Sequence, residues 1–225
     1  MTPIPSKPRS SASVALERLR ELIFSGELGA GTDHLESELA ESLGMSRTPV
    51  REALLVLEGQ GLVDVRPRKG VRVKCLSPAD MAEIYDVLTA LESLAAANAA
   101  RANWAGEDLK ALANCVDQMD DALKANDRYA WAAADDMFHA ELLRLGGNSR
   151  VRSIVGVMSD QVKRARMVTL HMRPEPIQSN QDHRALLGHI RNGDAVAAET
   201  LHRKHRERAK ALLIELLEKH HLNRL

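Results

Sequence analysis

From Ala12 onward, Val14, Leu16, Leu19, Leu22 and Ile23 recur every three or four positions, which predicts an amphipathic helix ending at Ser25-Gly26. Leu39, Ala40 and Leu43 give a second, shorter helix an apolar face, and Gly44 stands where a C-terminal glycine is expected. A third helix opens at Ser46 as N-cap with Pro49 in its first turn, carries Val50, Ala53, Leu54 and Leu57 inward, and ends at Gly59 and Gly61. The period then drops to two. Leu62 to Val65 and Val71 to Val73 alternate, joined by Arg66-Pro67-Arg68-Lys69-Gly70, which predicts a small hairpin. Ser77-Pro78 is a serine cap followed by an N1 proline, and from there the helical period continues. Helices are expected near 78–102, 106–125, 127–145, 149–173, 178–191 and 194–221. Residues 1–11, with three prolines and three serines, read as a mobile tail. The expected organisation is the tail 1–11, a domain over 12–75 and an all-helical domain over 76–225.

Composition narrows the fold class. Of 225 residues 44% are hydrophobic but only 3% aromatic, so the core is built from Leu, Ala, Val and Ile, which favours helix packing over a β-sandwich. The fold is therefore expected to be mainly α. No apolar run reaches the roughly 20 residues that cross a bilayer, and the N-terminus lacks the apolar stretch of a secretory signal. The expectation is a cytoplasmic chain without a membrane partner. Cys75 and Cys115 are isolated, without CxxC spacing, and are expected to be buried thiols rather than a disulfide or thiolate zinc site.

The formal net charge is zero, 31 basic against 31 acidic residues, yet the hairpin edge holds Arg66, Arg68, Lys69, Arg72 and Lys74 with no acid. Three short helices closed by a basic hairpin match the winged helix-turn-helix plan, in which the third helix enters the major groove. Arg47 and Arg51, four apart at the start of that helix, fall on one outward face, suited to a guanine edge or a phosphate, with Ser46 and Thr48 placed for phosphates.

The order of residues here, Ser25-Gly26-Glu27-Leu28, Glu38-Leu39-Ala40, Leu43-Gly44-Met45-Ser46-Arg47-Thr48-Pro49-Val50-Arg51-Glu52-Ala53-Leu54 and Gly61-Leu62-Val63, resembles the DNA-binding domain of the GntR family. The resemblance implies a bacterial regulator that binds a short palindromic operator as a homodimer. It assigns Arg47, Thr48 and Arg51 to the major groove and Gly70, with Arg68 and Lys69 beside it, to the wing tip. Ser37 stands where some members place a basic residue.

The helical region holds eight of the nine histidines. Asp135 and His139 fall inside the apolar stripe of Trp131, Phe138, Leu142 and Leu145, His183 shares a face with Leu186, Leu187 and Ile190, and His205 lies with Leu201, Ala209 and Leu212. His189 and His202 are expected to turn away. Three inward imidazoles and one carboxylate suit a divalent ion, the alternative being a buried Asp–His hydrogen-bond network without one. Asp135-Asp136-Met137-Phe138-His139, Gly147-Asn148, Asp182-His183-Arg184 and Asn192-Gly193-Asp194 through His205 resemble the FCD effector domain of the FadR-like GntR branch. That resemblance implies a metal held by Asp135, His139, His183 and His205, with zinc or nickel foremost and manganese a further choice, beneath a pocket for a small organic acid. Leu88 stands where that branch often carries an arginine. Gln161 and Arg164 are candidates to line the pocket.

The function expected is a DNA-binding repressor, not an enzyme, whose operator affinity responds to a carboxylate effector beside the metal. The alternatives are a sensor for the metal alone and a metal-dependent hydrolase, the second disfavoured because no separate general acid or base is evident.

Overall fold

The computed structural model describes residues 10–222, which fall into two compact units divided between Leu76 and Ser77. Residues 1–9 of the expected tail lie outside the described residues. Its end is already structured, because the Ser10 hydroxyl accepts from the Ser13 amide at 3.1 Å and starts α1 (Ser11–Ser25).

After α1 the first unit contains β1 (Asp33–His34), α2 (Glu36–Ser42), α3 (Arg47–Gly59), β2 (Val63–Arg66) and β3 (Gly70–Val73). Ala15, Leu19 and Ile23 of α1 join Leu39, Val50, Leu54, Leu57, Leu62, Val71 and Val73 in one core. The hairpin is antiparallel, with Val63 opposite Val73 and Arg66 opposite Gly70. A third strand, β1, pairs with β3 through Asp33 and Arg72. Two residues are too few to show any alternation, so the sequence pattern did not reveal it. Gly70 is required where the strands meet: its φ is +83°, and a Cβ there would lie 2.1 Å from the His34 carbonyl oxygen.

The second unit is a bundle of α4 (Pro78–Arg101), α5 (Lys110–Lys124), α6 (Arg128–Leu145), α7 (Ser149–Thr169), α8 (Ile177–Arg191) and α9 (Ala195–Lys219). A reciprocal cap opens α4, with the Ser77 amide donating to Asp80 Oδ2 (2.8 Å) and the Asp80 amide to Ser77 Oγ (3.1 Å). Small buried residues at Ala95, Ala96, Ala97, Ala99 and Ala100 let neighbours approach α4 closely. A Cβ on Gly146 would stand 2.9 Å from the Ala95 backbone.

Two helix ends differ from expectation for identifiable reasons. α5 starts at Lys110 rather than near 106, because Asp108 closes a turn by accepting from the Ala105 amide at 3.2 Å. α7 gives way at Leu170 to a short 3₁₀ turn, where Arg128 Nη1 donates to the carbonyls of Leu170 (3.2 Å) and Arg173 (2.7 Å) and Pro174 forbids continuation. Cys115 is buried, but Cys75 is exposed, since it follows β3 beyond the reach of the core.

Candidate DNA surface and histidine centre

α3 buries Val50, Ala53, Leu54 and Leu57, and this phase leaves Ser46, Arg47, Thr48 and Arg51 exposed at its start. Ser46 occupies the N-cap in extended conformation without a side-chain cap bond, so the first amides of α3 keep their donors for an anion. Arg47, whose side chain is 71% exposed, has Nη2 3.8 Å from Glu36 Oε2. An exposed pair that long holds the guanidinium weakly, leaving it available to DNA. At the hairpin tip Arg68 and Lys69 are exposed, and the Lys69 amide donates to the Arg66 carbonyl at 3.0 Å.

In the bundle, α6 carries Asp135 and His139, α8 carries His183 and α9 carries His205. Nitrogens of the three histidines lie within 4.8 Å of one another, and all three residues are buried. Asp135 borders two of them, with Oδ1 3.5 Å from His183 Nε2 and Oδ2 3.8 Å from His139 Nε2. His205 Nδ1 lies 3.1 Å from Asp182 Oδ2, which leaves Nε2 for the cluster. His139 Nδ1 approaches Glu92 Oε2 at 2.9 Å, off the angle of a hydrogen bond, and its Nε2 is the nitrogen nearest Asp135. His183 is 1% exposed and neither of its nitrogens has a hydrogen-bond partner. A self-sufficient Asp–His network would satisfy that ring; this one does not.

The electrostatics keep these groups ready to donate electron pairs. Burial, reinforced by His205, holds the His183 pKa well below the ordinary histidine value, and burial lowers His205 as well against the pull of Asp182. Burial by itself raises the Asp135 carboxyl, but Arg166, whose Nη2 is 2.7 Å from Oδ2, and the adjacent imidazoles outweigh it and keep it ionised. Three imidazole nitrogens with one carboxylate oxygen make a donor set that fits zinc or nickel.

His202 corrects an expectation. It does not face away from the bundle but is 1% exposed, with Nε2 3.1 Å from Glu92 Oε2, because α9 lies along α4 and buries both flanks of its inner face. Burial depresses its pKa to about 4 despite the Glu92 bond. His139, His202 and Glu92 also converge, but Arg206 Nε is 3.6 Å from the same carboxylate, so Glu92 already has a cation and serves as a support for the two rings. Glu92, Asp182 and Arg166 were missed in the sequence. The test that selected Asp135 would have found Glu92, which follows Met81, Tyr85 and Leu88 on the buried face of α4.

Beside His139 a cavity of about 310 Å³ is lined by Leu88, Glu92, Arg152, Lys163, Arg166 and Arg206, among others. Gln161 and Arg164 do not line it. The α7 face that does carries Arg152, Gly156, Ser159, Asp160, Lys163 and Arg166, and one residue's rotation, about 100°, turns Gln161 and Arg164 out of that row.

Residues 12–73 match the model described as bacterial regulatory proteins, gntR family, and residues 83–208 match the FCD domain. The chain belongs to the GntR family, with an FCD domain. An HTH-type transcriptional regulator from Streptomyces ambofaciens is 34% identical over 190 residues, covering 84% of this chain and 78% of that protein. A Paenarthrobacter nicotinovorans protein named "Probable D-xylose utilization operon transcriptional repressor" is 30% identical over 180 residues, covering 79% of this chain and 77% of its own length. The solved structure of E. coli McbR/YncC shares the fold at TM-score 0.79 and 21% identity, covering 92% of this chain and 99% of that one. This GntR chain is thus a transcriptional regulator with a winged helix-turn-helix and a helical FCD domain, and not an enzyme. That membership sets aside the hydrolase alternative. Among the described residues no helix is long and apolar enough to cross a membrane.

Proposed function

We propose that the chain is a repressor that binds a palindromic operator as a homodimer, and that a divalent ion and a small carboxylate in the helical domain tune that binding. The DNA assignment rests on Arg47 and Arg51 standing exposed at the start of α3, with Arg68, Lys69 and Gly70 at the wing tip. Dimerisation is supported by apolar side chains that α4 and α7 leave exposed, Val87 and Leu94 on one helix and Ile154 and Val157 on the other.

The observation that carries the metal reading is His183, 1% exposed and without a hydrogen bond at either nitrogen beside Asp135, His139 and His205. Those four residues would hold the ion, and Asp182 fixes the ring of His205. A bound ion would supply a Lewis-acidic anchor for an oxygen of the effector. In the neighbouring cavity Lys163, Arg166 and Arg206 pair with Asp136, Asp135 and Glu92, so Arg152 of α7 is the cation proposed to meet a carboxylate, in place of an arginine at position 88 of α4. Calorimetry of zinc, nickel and manganese binding to protein purified without a polyhistidine tag, followed by operator titration with and without each metal and a panel of small carboxylates, tests this reading. Absence of micromolar affinity for any of the three ions would overturn it.

A further inference from the structure

Each of the three carboxylates that meet the clustered rings already has a guanidinium of its own. Arg206 Nε stands 3.6 Å from Glu92 Oε2, Arg208 is bonded to Asp182, and Arg166 Nη2 lies 2.7 Å from Asp135 Oδ2. A buried centre built around a permanent ion would leave its carboxylates for that ion to neutralise. Here they are matched, carboxylate by carboxylate, within the chain itself.

Arg166 differs from the other two because its carboxylate is itself a candidate ligand. Asp135 is 3% exposed, and Arg166 is the one lysine or arginine in contact with it among the described residues. The Arg166 side chain is 13% exposed, and its Nη1 reaches Asp136 Oδ1 at 3.2 Å, so two successive residues of α6 hold it. Asp136 also takes Lys163 Nζ at 3.2 Å and is partly exposed, so it neutralises Arg166 only in part. Two charge balances follow. In the metal-free centre Arg166 offsets a buried carboxylate, and its removal would leave that carboxylate unpaired, which destabilises the fold. Once a divalent ion neutralises Asp135, the guanidinium becomes a like charge near the ion. The same side chain stabilises the empty centre and opposes the filled one.

Resting on the metal reading above, we propose that Arg166 is a built-in substitute for the ion, a counter-cation that keeps the metal-free domain folded and lowers the affinity of the centre for its metal, so that occupancy follows the supply of the ion. Arg166 then acts in the opposite sense to Asp182, which supports the metal through His205.

Zinc is the probe, on the full chain purified without a polyhistidine tag. By chelator competition Arg166→Gln should bind zinc at least about tenfold more tightly than the parent, since it removes a like charge beside a ligand carboxylate. In chelator the same variant should have a lower urea midpoint, and saturating zinc should narrow its gap to the parent, because an ion that binds the variant more tightly stabilises it more. Arg166→Lys, which keeps the charge and gives up the fork, should stay within about threefold of the parent. If Arg166→Gln does not fold in chelator, zinc should restore its helicity by circular dichroism, and failure to do so overturns the proposal. Zinc affinity in Arg166→Gln equal to or below the parent's also overturns it, since Arg166 is then an orienting support for Asp135. An Arg166→Lys chain that binds as tightly as Arg166→Gln does the same, because charge is then not the cause. Those results leave the metal centre standing, whereas a parent chain that binds no zinc, nickel or manganese removes both readings together.

Discussion

His205 Nδ1 meets Asp182 Oδ2 at 3.1 Å, and Asp182 is itself buried, so one carboxylate fixes both the tautomer and the tilt of a ring whose other nitrogen faces His139 and His183. Replacing Asp182 with Asn removes the charge that raises the basicity of that ring while keeping the side-chain volume. Zinc affinity should fall by about 10- to 100-fold with helicity unchanged, as measured by chelator competition and circular dichroism. Unaltered affinity would mean that the ring is held by packing alone.

The four candidate ligands and their two histidine neighbours separate three roles. His183→Ala should abolish stoichiometric metal binding, since it removes a buried donor whose nitrogens make no hydrogen bond. His189→Ala, in a half-buried residue outside the cluster, should leave both metal content and stability unchanged. His202→Ala should keep the metal but lose stability, by about 1 to 3 kcal/mol, because it takes a donor from the buried Glu92 carboxylate. Elemental analysis and urea denaturation of the three variants distinguish these outcomes.

Acid should weaken the metal-free fold in a defined window. His183, His202 and His205 are held neutral by burial, with folded pKa values below the ordinary value of about 6.5 and His202 lowered to about 4. Between those values the unfolded chain binds more protons than the folded one, so stability is intact above about pH 6.5 and is lost as pH falls toward 4. Glu92 and Asp135, both held below the carboxylate range, extend the loss in the same direction as pH falls through the unfolded carboxylate values. Urea midpoints of chelator-treated protein across this range would show a slope of the opposite sign if the rings were instead charged in the fold.

Periodicity made most of the architecture legible, because α1, α3 and α6 each bury one stripe and expose the rest. Where a helix is enclosed, periodicity loses its contrast. α9 is covered on both flanks of its inner face, so the distinction drawn between His205 as inward and His202 as outward failed there. Polar partners across the bundle were illegible for a different reason. Arg166 reaches Asp135 from 31 positions away, a distance in sequence that no local spacing encodes. The two-residue β1 lay below the length at which alternation exists at all.

The exposed face of α4 and α7 predicts the oligomer. Leu94→Glu charges the side of α4 that also exposes Val87, and Ile154→Glu the side of α7 that also exposes Val157, each of the four at least 37% exposed in the single chain. Either variant should sediment as a monomer, fold normally, and bind a half-site far better than it binds the palindrome relative to the parent. A dimer that survives both changes would place the interface elsewhere.

The last prediction divides the DNA surface by chemistry. Arg47 and Arg51 stand four residues apart on α3, both exposed, and Arg47 is tied only loosely to Glu36 at 3.8 Å. Replacing either with Ala should cost about 1 to 3 kcal/mol against the preferred operator and much less against unrelated DNA, since a forked guanidinium contact to a guanine edge is lost. Glu36→Gln frees Arg47 from its pairing with that carboxylate and should tighten binding at low salt, an effect that fades as salt screens the pair. Lys69, at the exposed hairpin tip, should behave differently: Lys69→Ala should weaken all sequences alike and reduce the salt slope by about one unit, as removal of a phosphate contact does. Gly70→Ala should weaken binding without removing any charge, because a side chain at φ +83° would collide with the His34 carbonyl and displace the tip that presents Arg68 and Lys69. Fluorescence anisotropy on operator and scrambled duplexes at several salt concentrations reads all five variants, and a sequence-selective loss from Lys69→Ala, or a uniform loss from Arg51→Ala, would reverse the roles of wing and helix.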